Sequence, residues 1–454
     1  MDAAIPNAEQ LPDLAENLPR RVHSTAAATC LEDVRQAVLA ASASGVPVYP
    51  VSRGLNWGLG SKKPVKQDCT LLDLSGMNRI RGIDLQRGYA TIEAGVSQGE
   101  LADALADTPY LLNVTTSARE SSVVGNALDR GQGMIRLRTH DLLGLEAVLA
   151  DGTVITTGVF GEIGGRAMSA VMAGPDLTKL FCHANFGVVT AATISLVRRP
   201  ERTAYVYGAY QGAAMPAVVD ALYRLRQDGV FRTMFYLGEM EIVPGAGPHP
   251  DFTVLGPLMG REAMVLEAER IVRAELETIP GCISLRTGRP EDVPPSDKLH
   301  LRARMYLGEP TTEMIKQRFG TQTAALDETS AKGWAVLQAV LPHESARVDE
   351  AMAIVARCID QHGIAAHPHL STVSSRSINL MTMIWFDRTP EGSERMRVMR
   401  DQLRGDLANR GFYPSREGID ALEAADLSEP GHAASARIKA ALDPAGVISP
   451  GRYV

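Results

Sequence analysis

Between Ser117 and Thr190, three segments set glycine and other small residues against β-branched apolar runs, and this pairing narrows what the chain can become. The first is Ser-Ala-Arg-Glu-Ser-Ser-Val-Val-Gly-Asn-Ala-Leu-Asp-Arg-Gly, Ser117 to Gly131. It puts small residues where a backbone must approach something closely. Gly125 is free to take positive φ there, and Ser121, Ser122 and Asn126 offer short hydrogen-bonding side chains. The second, Leu145 to Val154, reads as strand, tight Asp-Gly turn, strand. The third, Asn185 to Thr190, runs into Ala-Ala-Thr-Ile-Ser-Leu-Val, a buried strand. Together they describe a sheet with a long, flat cofactor lying against its loops.

At 454 residues the chain exceeds a single core and should split into two or three lobes. Its 45% apolar and 22% charged content is that of an ordinary globular protein. A net charge of −7 leaves no basic footprint for nucleic acid or an anionic membrane. No apolar run approaches the ~20 residues of a membrane span. The N-terminal residues lack a basic n-region and an h-region, so no signal peptide is expected. Five scattered cysteines, never in Cys-x-x-Cys spacing, argue against a disulfide framework or zinc site and for a reducing cytoplasm.

Residues 1 to 25 read as a polar leader that packs late or wraps the surface. Cys30 to Ser44 has helical period, with Val34, Val38 and Leu39 on one face. A strand from Pro47 to Val51 leads into the glycine-rich loop Ser52 to Gly60, followed by strands at Thr70 to Leu74 and Tyr89 to Ala94 and a helix from Ser97 to Ala106. Free backbone N–H groups in the Ser52 to Gly60 loop make an anion nest suited to a pyrophosphate; the alternative is a simple surface turn. It is not a Gly-x-Gly-x-x-Gly fingerprint, so NAD in a Rossmann fold is the weaker reading. From 203 to about 405, strands (Tyr205 to Tyr210, Phe252 to Leu258, Trp334 to Leu341, Ile378 to Trp385) alternate with helices (Ala214 to Gln227, Arg261 to Glu277, Ser345 to His362). That pattern predicts an antiparallel sheet with helices on one side. The tail from 406 reads as a helix, a polar loop, a helix near Ala433 to Leu442 and an Asp-Pro turn.

Val51 to Gly60, Ser121 to Gly133, Leu145 to Gly158, Leu180 to Thr190 and Leu442 to Tyr453 stand in the order of the vanillyl-alcohol oxidase and p-cresol methylhydroxylase family of FAD-linked oxidoreductases, which the chain resembles over nearly its whole length. The resemblance implies an α+β, two-lobed enzyme. An FAD-binding lobe spans 1–202, a cap or substrate-binding lobe 203–405, and 406–454 returns to the FAD lobe. Ser52, Arg53, Gly54, Leu55 and Asn56, with Gly60 closing the loop, match the pyrophosphate loop. Ser121, Ser122, Val124, Gly125 and Asn126 match a second flavin-contacting loop, and Gly187, Val188 and Val189 a third. Arg452 should lie near the FAD. Asp129 matches an aspartate near flavin N5, as a base or a tuner of flavin electronics; without the resemblance, an N-cap or an ion pair with Arg130 serves as well. Arg416 matches an arginine at the pyrimidine edge of the flavin, where fixed positive charge stabilises the anionic reduced form.

Departures from the family pattern matter equally. Asn56 stands where some relatives carry an attaching histidine, and Trp334-Ala335 offers neither histidine nor tyrosine, so the FAD is expected to be non-covalent. Leu59 and Ser415 replace two phenolate-binding tyrosines, which argues against a para-alkylphenol and makes both candidate substrate contacts. His367 and His369, at i and i+2 of one strand, share a face. Pocket lining and ordinary cap packing both fit them, whereas a metal lacks a third ligand. Arg376, after that strand, and Tyr306 with Arg304, on a candidate cap strand, are further substrate contacts. His140 is a candidate cap for a helix starting at Asp141.

The expected function is hydride removal from an alcohol, hydroxy acid or amine, with electrons passing to O2 or another acceptor. Rivals are an isomerase or lyase without net oxidation, an electron-transfer subunit docking a redox protein, and a non-catalytic flavin-binding protein. A homodimer is expected by analogy alone.

Overall fold

The computed structural model describes residues 13–15, 20–160, 173–423 and 430–454. Much of the 1 to 25 leader and most of the polar loop at 424–429 lie outside them. A small parallel sheet opens the fold, ordered Val22–Ala27, Cys69–Asp73, Val48–Val51. The helix Leu31–Ser44 covers it through Val34 and Val38, its two β-branched residues one turn apart. Beside it stands a five-stranded antiparallel sheet, ordered Ile80–Asp84, Tyr89–Glu93, Val188–Ser195, Leu142–Val148, Val154–Gly158. Val188–Ser195 and Tyr89–Glu93 are buried on both faces, which explains their largely apolar and threonine composition; the buried Glu93 is held by Arg79 and Arg81.

The second body is a seven-stranded antiparallel sheet. Its order is Cys282–Gly288, Arg202–Tyr210, Phe252–Gly260, Tyr236–Gly238, Ala366–Ser371, Ser377–Asp387, Lys332–Pro342. Helices Met215–Gln227, Glu262–Leu276, Ser345–His362 and Pro390–Ala408 bury one face, against Val206, Val254, Leu337, Leu380 and Ile384. Because strand side chains alternate, the other face carries Tyr207, Leu255, His367, His369, Met383 and Trp385. The chain's end then returns to the first body. Val48 N–H donates to Val447 O, and Lys439 Nζ reaches Asn185 O, Asp443 Oδ2 and Ile448 O at 2.5–2.8 Å.

Several expectations need correcting. Val22–Ala27, its first four residues read as leader, is a strand, because pairing with Cys69–Asp73 supplies order its polar sequence does not advertise. Gly125 sits inside the helix Val123–Leu128 and does not take positive φ. Its need is space: a Cβ there would lie 2.4 Å from Ser52 Oγ. Arg304 belongs to the helix His300–Met305 and Tyr306 caps its end, so neither is on a strand. The helix placed in the tail is mostly earlier, at Pro390–Ala408, entered through a proline in its first turn and a Thr389 cap. His140 lies within the one-turn helix Arg138–Asp141 and caps nothing.

Candidate active site

A groove runs along the carboxyl end of Val48–Val51, floored by the short helix Val123–Leu128. The loop that follows Val51 turns at Gly54 (φ +67°), a conformation that glycine adopts without strain. Ser52, Arg53, Gly54, Leu55 and Asn56 line the groove from this loop. Ser121, Ser122, Val124, Gly125 and Asn126 line it from the helix, and Gly187, Val189 and Arg452 from beyond. Ser122 Oγ is engaged internally, accepting from Gly125 N–H at 2.9 Å and donating to Ala94 O at 2.7 Å. Arg53 is also tied down, to Gly95 O and Glu100. By contrast, the buried Ser121 Oγ, Asn126 Oδ1 and Asn185 Oδ1 have no hydrogen-bond partner among the described residues. Buried polar atoms of this kind call for one. An uncrowded backbone cradle with three orphaned polar atoms fits an extended, polar, phosphate-bearing cofactor.

Gly60 and Val188 lie outside the groove. Gly60 takes φ +117°, and a Cβ there would strike Ile419 at 2.4 Å, so its role is in the turn and its packing. Val188 points to the opposite face of its strand, into the core beneath Leu31–Ser44.

At one end of the groove Asp129 follows the last turn of Val123–Leu128, 8% exposed. Arg452 Nη2 lies 2.8 Å from its Oδ1, and Arg416 pairs with its Oδ2. Arg416 also donates to Asn56 Oδ1 at 2.7 Å, and Arg452 to Tyr49 Oη at 2.8 Å. Burial alone would raise the Asp129 carboxyl, but Arg416 and Arg452 overcome it and hold the group far below the usual carboxylate range. His183, with φ +54°, stacks on Tyr453 at 4.3 Å and lies 3.8 Å from Asp129. Burial, opposed by Asp129 and reinforced by Arg416, pushes its imidazole down to about 4. The centre is thus one ionised carboxylate between two guanidiniums, with a neutral histidine beside it. It carries excess positive charge and is a poor proton acceptor. Tyr49, His183 and Tyr453 were not anticipated as site residues; only the position of Tyr453 in the closing Pro-Gly-Arg-Tyr hinted at it.

A second cavity, about 840 Å³, opens on the other face of the seven-stranded sheet, walled by the short helices His300–Met305 and Glu313–Phe319. His367 and His369 both project into it from Ala366–Ser371, opposite Met383 and Met381. Burial, reinforced by Arg302 and Arg318, pushes His369 down to about 3; burial also lowers His367. Gln338, Met381 and His369 form one cross-strand row. Ser415 Oγ, next to Arg416, rests on that face, 2.8 Å from Asn379 Oδ1 and 3.1 Å from Gln338 Oε1. The turn after Asp129 links the two hollows: Gly133 O accepts from Tyr236 Oη at 2.7 Å, and Met134 Sδ lies 3.8 Å from Arg302. Four expected substrate contacts are not brought here; Arg304 pairs with Glu309 outside both hollows. Leu59 is buried away from both hollows, Tyr306 is wholly buried behind the cavity wall, and Arg376 is exposed on the turn between two cap strands.

Residues 23–158 match the family model described as an FAD binding domain. Among curated proteins, the 1'-carboxy-chondrochloren decarboxylase of Chondromyces crocatus is 28% identical over 93% of this chain and 88% of its own length. The flavoprotein subunit of 4-cresol dehydrogenase [hydroxylating] from Pseudomonas putida is 32% identical, over 41% of this chain and 37% of its own. Among solved structures, p-cresol methylhydroxylase with substrate bound superimposes with a TM-score of 0.85 at 21% identity, covering 98% of this chain and 91% of that one. Groove, domain match and fold define an FAD-binding oxidoreductase. Residues 23–158 thus form an FAD-binding domain, the whole chain adopts the fold of p-cresol methylhydroxylase, and the cofactor is FAD. Ser121, Asn126 and Asn185 are placed to hold it.

Proposed function

We propose that this protein oxidises a small or medium organic substrate, an alcohol, hydroxy acid or amine, bound in the cap cavity formed by residues 203–405. FAD in the groove supplies a two-electron acceptor that takes a hydride at N5 and passes the electrons to O2 or another acceptor. The observation that carries this proposal is the junction at 129–134, where the charged end of the groove meets the cavity wall through Tyr236 and Arg302. Arg416 and Arg452 supply positive charge where the reduced cofactor is anionic, and Asp129 holds both in place. Asp129 is too strongly paired to take the substrate's proton. His367, facing the cavity and only partly buried, is the acceptor, while His369, pushed down to about 3, is too weak a base and serves as a wall contact. Non-covalent binding of FAD is supported by Asn56 and Trp334-Ala335, which offer no attaching side chain. A reducing cytoplasm suits the five free cysteines.

A second possibility draws on the decarboxylase relative, which matches 93% of this chain: loss of CO2 from the substrate, with or without net oxidation. One experiment serves both. Purified protein should show flavin bands near ~370 and ~450 nm, released into the supernatant by acid precipitation. Anaerobic addition of alcohols, hydroxy acids and amines should bleach the ~450 nm band. A colourless protein that takes up no FAD overturns the proposal. Turnover that needs no acceptor but releases CO2 selects the second possibility.

A further inference from the structure

The cap cavity holds a charge imbalance that its own residues do not resolve. Lys298 pairs with Glu239 at 3.1 Å, Lys332 with Asp387, and His367 lies 3.9 Å from Glu241. Arg395 donates to His362 O. Arg302 and Arg318 are different. Among the described residues, Arg302 meets only the Tyr236 ring, 5.2 Å from its centroid, and Met134 Sδ at 3.8 Å. Arg318 meets Met383 Sδ at 3.7 Å. A thioether is a weak acceptor, and neither guanidinium has a carboxylate within ion-pair distance. Both guanidiniums line the cavity, Arg302 half-buried and Arg318 exposed, and they repel each other. Two like charges facing one hollow draw an anion into it.

Resting on the oxidase or decarboxylase function above, we propose that Arg302 and Arg318 form a clamp for a carboxylate carried by the substrate. Guanidinium forks match carboxylate geometry in a bidentate way that lysine cannot. The rest of the wall fits the other part of such a molecule. Phe319, Trp385, Met314 and Leu255 offer apolar and aromatic surface, and about 840 Å³ is ample for an aryl-alkyl acid. The substrate class is therefore an organic acid with an apolar or aromatic body. Arg302, joined to the 129–134 turn through Met134, would set how far the reacting carbon reaches toward the groove. This is a specificity handle away from the reacting bond, where binding energy can position without blocking chemistry.

The test uses FAD-loaded protein and the emission of its tryptophans, of which Trp385 lines the cavity. 4-Phenylbutyrate and its neutral amide, 4-phenylbutyramide, are titrated separately, with inorganic phosphate as a third probe. Wild type should bind the acid at least about tenfold tighter than the amide, about the worth of one charged hydrogen bond. Arg302→Met and Arg318→Met should each abolish that preference while keeping FAD content, and Arg318→Lys should retain part of it. Equal affinity for acid and amide, no binding of either, or preference surviving in both methionine variants overturns the clamp. Phosphate binding tighter than 4-phenylbutyrate overturns its carboxylate assignment. FAD content, read at ~450 nm in the same samples, reports separately on the oxidoreductase proposal.

Discussion

Asp129 illustrates how a single carboxylate can serve a site without taking a proton. Its oxygens are divided between Arg416 and Arg452, two residues near the chain's end that would otherwise repel each other beside the groove. Asp129→Asn leaves both guanidiniums buried without their counter-charge. The expected result is a loss of about 3–5 kcal/mol, the usual cost of breaking a buried pair, seen as a lower urea midpoint. Flavin reduction should also slow by roughly 100-fold, with the shape of its pH profile unchanged, because a group held so far down does not titrate in the working range. A profile that loses a limb in the variant would make Asp129 the base after all. Asp129, Arg416 and Arg452 were legible because they stand in motifs with a known order. His183 was not, since its position follows from a left-handed backbone at φ +54° and a stacked Tyr453, neither of which leaves a local sequence mark.

Among the elements, the short helix Val123–Leu128 shows where propensity and fit diverge. Alanine is a better helix former than glycine by about 1 kcal/mol, so on its own the helix would gain from Gly125→Ala. The added Cβ, however, would lie 2.4 Å from Ser52 Oγ in the facing loop. Gly125→Ala should therefore lower FAD retention on gel filtration, and Ser52→Gly in the same chain should restore part of it. Retention equal to wild type in the single variant would show that the loop yields freely. Glycine at 125 signalled a special position, but the sequence could not distinguish torsional freedom from close approach. The same limit misplaced Arg304 and Tyr306. A six-residue stretch of mixed apolar and basic residues carries too short a pattern to separate helix from strand.

Across the whole molecule, Asp327 joins three pieces remote in sequence. Its Oδ1 accepts from Leu14 N–H and from Ser61 Oγ, both at 2.9 Å, and so ties the segment at 13–15 to the loop that follows Gly60. Burial pushes its carboxyl up to about 7. The folded form therefore holds a proton that the unfolded chain releases near pH 4, and this contribution is full below that pH and lost as pH rises through about 7. Asp327→Asn, which keeps the accepting oxygen, should lift Tm relative to wild type at pH 8 and change it little at pH 4. The difference should be on the order of 2–4 kcal/mol at most. A gap of equal size at both values would mean that burial does not hold the proton.

The sequence by itself determined the α+β class, the order of the segments that line the groove and most of the long cap elements. Ser345–His362 and the strand pair around Val336 and Met383 were readable because sustained periodicity survives any tertiary context. It also placed His367 and His369 on one face, because a strand's alternation is a local property. Only the tertiary structure decided which residues meet. It drew Arg416 and Arg452 onto Asp129, sent Gly60 and Val188 into packing, and turned Arg376 to solvent. It also brought Arg302 and Arg318 to the wall of one cavity, with no carboxylate among the described residues paired to either. Periodicity says which way a side chain points from its own element, but pairing depends on how separate elements dock, and that is settled by the cores between them.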